Sequence, residues 1–111
     1  MDEYAHLVYK ISRTFPKEEL YGLVSQMRRA VISVVLNYLE GYARNRIAVR
    51  LNFLETSCGS FSETEYIVEF SLLEGLINKD DFLACEKLSN EIGAMLWKEL
   101  SNVETAVKQN K

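Results

Sequence analysis

Ala30-Val31-Ile32-Ser33-Val34-Val35-Leu36-Asn37-Tyr38-Leu39 holds two polar residues in ten, Ser33 and Asn37. Leu20, Leu23, Val24, Met27, Val31, Val34 and Tyr38 recur at the three-and-four spacing of one helix face. Ile32, Val35, Leu36 and Leu39 lie off that stripe and are apolar too. A helix that is apolar nearly all round must be covered all round, and the other helices of a small bundle cover one side only. The remaining side then needs another subunit, which makes Ile32, Val35, Leu36 and Leu39 the candidate oligomer interface. The β-branched Val31, Ile32, Val34 and Val35 also suit a buried strand, but the periodic segment is too long and no second strand is available to pair with it.

Upstream, Leu7, Val8, Ile11 and Phe15 give a first helix over about 3–14, stopped because the residue before Pro16 is pushed out of the α region. Pro16-Lys17-Glu18-Glu19 reads as the start of a second helix over about 17–41, with acids at the positive end of its dipole. Gly41 suits a left-handed C′ position and Asn45 an N-cap. Downstream, a third helix spans about 46–73 with Leu51, Leu54, Cys58, Phe61, Val68 and Leu72 as its seam, Glu65 at a seam position, and Gly59 beside it where a neighbouring helix could approach closely. Gly75 ends that helix. Asn78, Asp80 and Asp81 open a fourth over about 79–106, faced by Phe82, Cys85, Leu88, Ile92, Leu96 and Val103, and the tail 108–111 is expected to fray. Four helices with short connections imply an all-α, antiparallel up-down-up-down four-helix bundle, one domain over 1–111, and the uncovered apolar side of its second helix implies a closed homo-oligomer.

Composition agrees with that class. At 48% hydrophobic and 26% charged, with five glycines and one proline, the 111 residues have little material for turns and an ordinary globular balance. Cys58 and Cys85 fall in apolar segments without paired Cys or His neighbours, which fits reduced core thiols in a reducing cytoplasm. No apolar run approaches the roughly 18 residues of a membrane span, and the N-terminal residues lack a signal-peptide pattern, so a cytoplasmic protein with no membrane partner is expected. The formal charge of −3 conceals a division: residues 10–50 hold eight bases against three acids, whereas residues 51–111 hold five against eleven.

The chemistry-bearing residues point to binding or assembly. His6, the single histidine, has no partner at metal or triad spacing, and the Glu-x-x-His pairs of a bundle di-metal site do not occur, so no enzyme activity, cofactor or metal is expected. A carboxylate at a seam must be paired, which makes Arg28, Arg29, Glu40, Glu63 and Glu65 a candidate ion-pair network, with a small-ligand site as the alternative for the same cluster. Arg44, Arg46 and Arg50, at a turn and the first turn after it, are candidates for contacting RNA or DNA phosphates, since a ring would repeat them around one rim. Tyr4, Tyr9, Tyr21, Tyr42 and Tyr66 suit base stacking as well as core or interface packing.

Phe15-Pro16-Lys17-Glu18-Glu19-Leu20-Tyr21-Gly22-Leu23 followed by Ser25-Gln26-Met27-Arg28-Arg29-Ala30 resembles the entry to the second helix in the four-helix-bundle proteins encoded in intervening sequences of bacterial 23S rRNA genes. Asn37-Tyr38-Leu39-Glu40-Gly41-Tyr42-Ala43-Arg44 is similar to that family's Asn-Ile-Ala-Glu-Gly turn, and Phe53-Leu54, Gly59-Ser60 and Glu63-Thr64-Glu65 to its third-helix motif. The chain departs from the pattern at Tyr38-Leu39, where smaller residues are usual, and at Cys58, where alanine is common. The resemblance implies a ring-like homo-oligomer, typically a homopentamer, without known enzymatic activity. A related group of bundles serves diversity-generating retroelements by binding a reverse transcriptase and nucleic acid, so a reverse transcriptase is the protein partner it implies. A protein-only assembly module, or a ligand-binding bundle with no nucleic-acid role, is the other reading.

Overall fold

Pro16 divides the first two helices of the computed structural model, which describes residues 1–109. Helix α1 (Asp2–Ser12) begins with two acids and ends with Ser12 and Thr14 hydroxyls donating to the carbonyls of Tyr9 and Ile11. After Pro16 a tight 3₁₀ turn (Lys17–Glu19) and a wide π turn (Leu20–Val24) lead into α2 (Ser25–Tyr42), so the helix expected over 17–41 is regular only from Ser25. A π turn inserts one residue into the helical repeat and changes which side chains face inward. Val24 stays in the core, while Leu20, expected on the buried stripe, is exposed.

The turn from α2 to α3 (Ile47–Leu73) also differs from expectation. Gly41 is helical, buried inside α2, and the only positive φ among the described residues belongs to Gly75. A Cβ on Gly41 would lie 3.3 Å from Phe53 Cβ and 3.4 Å from the Arg50 carbonyl oxygen, so the glycine serves close helix approach. Arg46, extended at φ −80° and ψ 124°, is the N-cap residue in place of Asn45, and no side chain caps α3. Gly59 has nothing within 4 Å of a Cβ position; it faces solvent, so the close approach expected there occurs at Gly41 instead.

The last turn forms as its residues dictate. Gly75 (φ +76°) donates to the Leu72 carbonyl at 3.0 Å and Leu76 to that of Ser71 at 2.8 Å, the paired bonds of a Schellman ending. Asn78 Oδ1 then accepts from the Asp81 amide at 2.8 Å and caps α4 (Lys79–Gln109). Helix α4 runs past the expected end at 106; of the tail expected to fray, residues 110 and 111 lie outside the described residues.

The result is all-helical, with four helices and no strand among the described residues. Register pairs give the directions. Gln26 meets Glu63, Ser33 meets Ser60 and Gly41 meets Phe53 across α2 and α3; Glu65 meets Ser89 and Phe61 meets Gly93 across α3 and α4; Arg28 meets Ser12 across α2 and α1. Each pair of sequence neighbours therefore runs antiparallel. Met27, Val31, Val34, Leu54, Phe61, Val68, Cys85, Ile92 and Leu96 form the core with Tyr4, Val8 and Ile11 of α1. Burying a side chain of this size contributes about 1.5–3 kcal/mol each.

Two columns of α3 face inward, one of Leu54, Phe61 and Val68 and one of Ser57, Thr64 and Ser71, all buried. The hydroxyls are satisfied: Ser57 donates to the Val34 carbonyl of α2 at 2.7 Å, Thr64 to Ser60 and Ser71 to Ile67. Small residues keep α2 and α3 close. The seam expected through Cys58 and Leu72 is only half-buried, and its Glu65 is exposed.

Two glycine substitutions test this packing in opposite directions. Gly59→Ala should raise stability by about 1 kcal/mol, the helical preference of alanine over glycine at an open site. Gly41→Val should lower it by about 1–3 kcal/mol, the range for overpacking. Urea melts with unchanged slope measure both.

Candidate functional site

An 11-residue helix spans about 16 Å and a 31-residue helix about 46 Å at 1.5 Å per residue, so α1 covers only part of the groove between α2 and α4. What it leaves open is the outer face of α2. Ile32, Leu36 and Leu39 are 36%, 56% and 58% exposed, and Val35 is half-buried between them, packed against the core. Two hollows flank this face. One of about 240 Å³ is lined by Asp2, Ala5, His6, Tyr9, Ile32, Val35 and Leu36; the other, of about 520 Å³, lies between Tyr38 and Leu39 of α2 and Leu88, Ile92 and Met95 of α4, with Asp2, Glu3 and Glu91 also in its lining.

Beyond the N-terminus of α1, Tyr38 donates a 2.8 Å hydrogen bond to Glu99 Oε1 and packs against Tyr42 with ring centroids 4.9 Å apart and planes tilted by 45°. Burial, then hydrogen bonding with Tyr42 and Glu99, pushes the Tyr38 hydroxyl well above the usual tyrosine range, so it stays protonated and donating. Glu99 Oε2 is buried and has no partner among the described residues. Burial likewise pushes the Cys85 thiol up to about 11 and raises that of Cys58, which leaves both as inert packing groups.

The three rim arginines do come together, but two are structural. Arg50 donates from Nε to the Gly41 carbonyl at 3.3 Å and from Nη2 to that of Arg44 at 3.0 Å, with its guanidinium 5.5 Å from the Tyr42 ring. It closes the carbonyl end of α2. Arg44 pairs with Glu40 at 2.8 Å and lies 5.2 Å from the Phe53 ring. The Arg46 side chain makes no hydrogen bond or ion pair among the described residues and is exposed at the start of α3.

The expected ion-pair network is dispersed within one chain. Arg28 donates from Nε to Ser12 at 2.9 Å and lies 4.7 Å from the Tyr9 ring. Glu65 accepts from the buried Ser89 hydroxyl, Glu63 from Gln26, and Arg29 lines a polar groove with Ser33, Ser60 and Glu63. Among the described residues Arg44–Glu40 is the single salt bridge. The buried pair expected for Glu65 is therefore replaced by a surface carboxylate bonded to a serine.

Among the described residues no group of three or more His, Cys, Asp and Glu could hold a metal ion, and His6 is exposed. No helix is long and apolar enough to cross a membrane. Sequence reading missed a second exposed apolar face, Tyr66, Phe70 and Leu73 on α3. Its signal was present as a four-then-three spacing, on the side away from the seam.

Known proteins show the same architecture. A protein of unknown function from the S23 ribosomal protein family of Bacteroides thetaiotaomicron VPI-5482 superposes with a TM-score of 0.78 at 22% identity, covering 88% of this chain and 92% of its own. That likeness shows the fold. No curated protein matches the sequence. A family model, 23S rRNA-intervening sequence protein, matches residues 1–98.

Arg50→Gln should destabilise the chain by about 1.5–3 kcal/mol, the range for losing hydrogen bonds from a charged donor. Glu65→Ala should cost less, about 0.5–1.5 kcal/mol, the range for one hydrogen bond, because the buried Ser89 hydroxyl loses its acceptor while the carboxylate itself is exposed. Denaturant melts of the two variants side by side check the assignment; equal losses would return Glu65 to the core.

Proposed function

The chain belongs to the 23S rRNA-intervening sequence protein family, and from that footing we propose that it is a non-enzymatic, self-assembling helical scaffold whose contact surface is the outer face of α2. The observation that carries this reading is the exposure of Ile32, Leu36 and Leu39 along one side of a single helix. Contiguous apolar surface of this kind marks an interaction site in a soluble protein. The flanking hollows give that face relief into which side chains of another molecule can fit. A closed homo-oligomer, a pentamer by family resemblance, is the assembly it fits.

Light scattering at micromolar concentration tests the proposal. The expected mass is several times 12.8 kDa, and Leu36→Glu combined with Leu39→Glu should bring it down to one chain without loss of helicity. A parent protein that is already monomeric would overturn it.

A second reading adds RNA or DNA as a partner, favoured by the exposed Arg46 side chain at the uncapped, positive end of α3 beside Arg44. A reverse transcriptase belongs to this reading as protein partner. Binding to single-stranded RNA should then weaken steeply with salt, and Arg46→Gln should flatten the salt slope while leaving the assembly intact. Arg50 is unsuited to that test because it holds the turn. Equal salt slopes for parent and variant, or no binding by the parent at low salt, would leave the protein-only scaffold.

A further inference from the structure

One buried polar group has no part in the outer face of α2. Tyr4 is 1% exposed, with its ring 6.1 Å from that of Phe61 in the core. The ring carries its hydroxyl from α1 to the groove between α3 and α4, where Cys85, Glu65 and Ser89 surround it. Ser89 stands beside the hydroxyl but gives its own proton to Glu65, so the Tyr4 oxygen accepts no hydrogen bond among the described residues. Burial, then the neighbouring Cys85 and Glu65, pushes the hydroxyl well above the usual tyrosine range and keeps it neutral. A buried oxygen of this kind is costly unless a donor reaches it.

That oxygen lies at the floor of a cavity of about 90 Å³. Val68 and Phe82 form apolar walls, and Glu65, Glu69 and Glu86 complete the lining, which contains no base. The three carboxylates are exposed, and none of them is in a salt bridge among the described residues. Glu65 and Glu69 stand one turn apart on α3, with Glu86 opposite them on α4. From this arrangement we propose that the α3–α4 groove is a binding site for the ammonium end of a small aliphatic amine, with the Tyr4 oxygen and the three carboxylates as acceptors.

The lining selects that chemistry step by step. Acceptors that lack a donor, gathered where three negative charges stand together, call for a positively charged donor. A metal ion does not suit them, since among the described residues no group of three or more His, Cys, Asp and Glu could hold one. An ammonium carries its N–H donors splayed in three directions and forms charge-assisted bonds to carboxylates. The exposed carboxylates attract the cation from solution, and the buried oxygen distinguishes an N–H donor from a bare charge. Phe82 adds an aromatic wall, a favourable neighbour for a cation. Size sets the rest: a cavity of about 150 Å³ holds the six carbons of benzene, so this one holds roughly three or four heavy atoms, an ammonium with two or three methylenes. None of the lining residues belongs to the exposed apolar row of α2, so this site and the assembly surface stand or fall separately.

Isothermal titration of the intact chain with propylammonium chloride, at constant ionic strength, tests the site. Saturable binding of one amine per chain is expected, and tetramethylammonium chloride, which has the charge but no N–H, should bind about tenfold more weakly or less. Tyr4→Phe keeps the ring in the core and removes the oxygen; it should weaken propylammonium binding about tenfold and leave tetramethylammonium binding unchanged. Glu69→Gln with Glu86→Gln, both at exposed positions, should weaken both cations. Circular dichroism checks folding, and the double glutamine variant decides alone if Tyr4→Phe loses helicity. No saturable binding by the parent, equal binding of the two cations, or undiminished binding by a folded Tyr4→Phe variant would overturn the site. If N-acetyllysine amide binds more tightly than propylammonium, the occupant is a lysine side chain of a partner protein and the small-amine proposal is likewise overturned.

Discussion

Helix α1 is too short for the job its neighbours set it. Helix α2 carries apolar residues on both sides, and the 27 residues of α3 run along its inner face, while the 11 residues of α1 lie beside only part of its outer side. The open outer side of α2 follows from that mismatch. The Tyr38–Glu99 pair lies beyond the reach of α1, the two hollows open beside Val35, and Ile32, Leu36 and Leu39 remain in water.

What α2 does bury, it buries closely. Ala30, Ser33 and Gly41 face Phe53, Ser57 and Ser60, and the Ser57 hydroxyl bonds directly to the α2 backbone. Small residues bring two helices near enough for such contacts, and each buried hydroxyl is acceptable because it has found a partner. The pair is thus fixed by geometry as much as by apolar area. Arg50 locks its far end by closing the α2 carbonyls and facing Tyr42. A residue that looked from its charge like a phosphate contact is one of the fasteners of the fold.

Helix number and order, and the turn between the last two helices, were legible because Pro16, Gly75 and Asn78 act through local backbone chemistry that a sequence displays directly. The exposed side of α2 was legible for a similar reason, since Ile32, Leu36 and Leu39 are apolar at positions off the buried stripe. The α3 seam was legible only in part: Leu54, Phe61 and Val68 are buried as expected, but the second inward column was not seen. That column is Ser57, Thr64 and Ser71, seven residues apart, and hydroxyls do not register as apolar, so the half-buried column through Cys58 and Glu65 took its place. Glu65 then appeared to need an ion pair that its exposure makes unnecessary. The roles of Arg44 and Arg50 depend on where the turn carries their side chains, which spacing does not reveal.

The central claim is that the outer face of α2 is covered in solution by another copy of the chain. Small-angle X-ray scattering at micromolar concentration tests it without any substitution. One bundle measuring 50 × 24 × 19 Å has a Cα radius of gyration of 15.3 Å. The account predicts a clearly larger radius that falls toward the single-bundle value on dilution below the assembly's dissociation constant; a radius matching one bundle across the whole concentration range would contradict it.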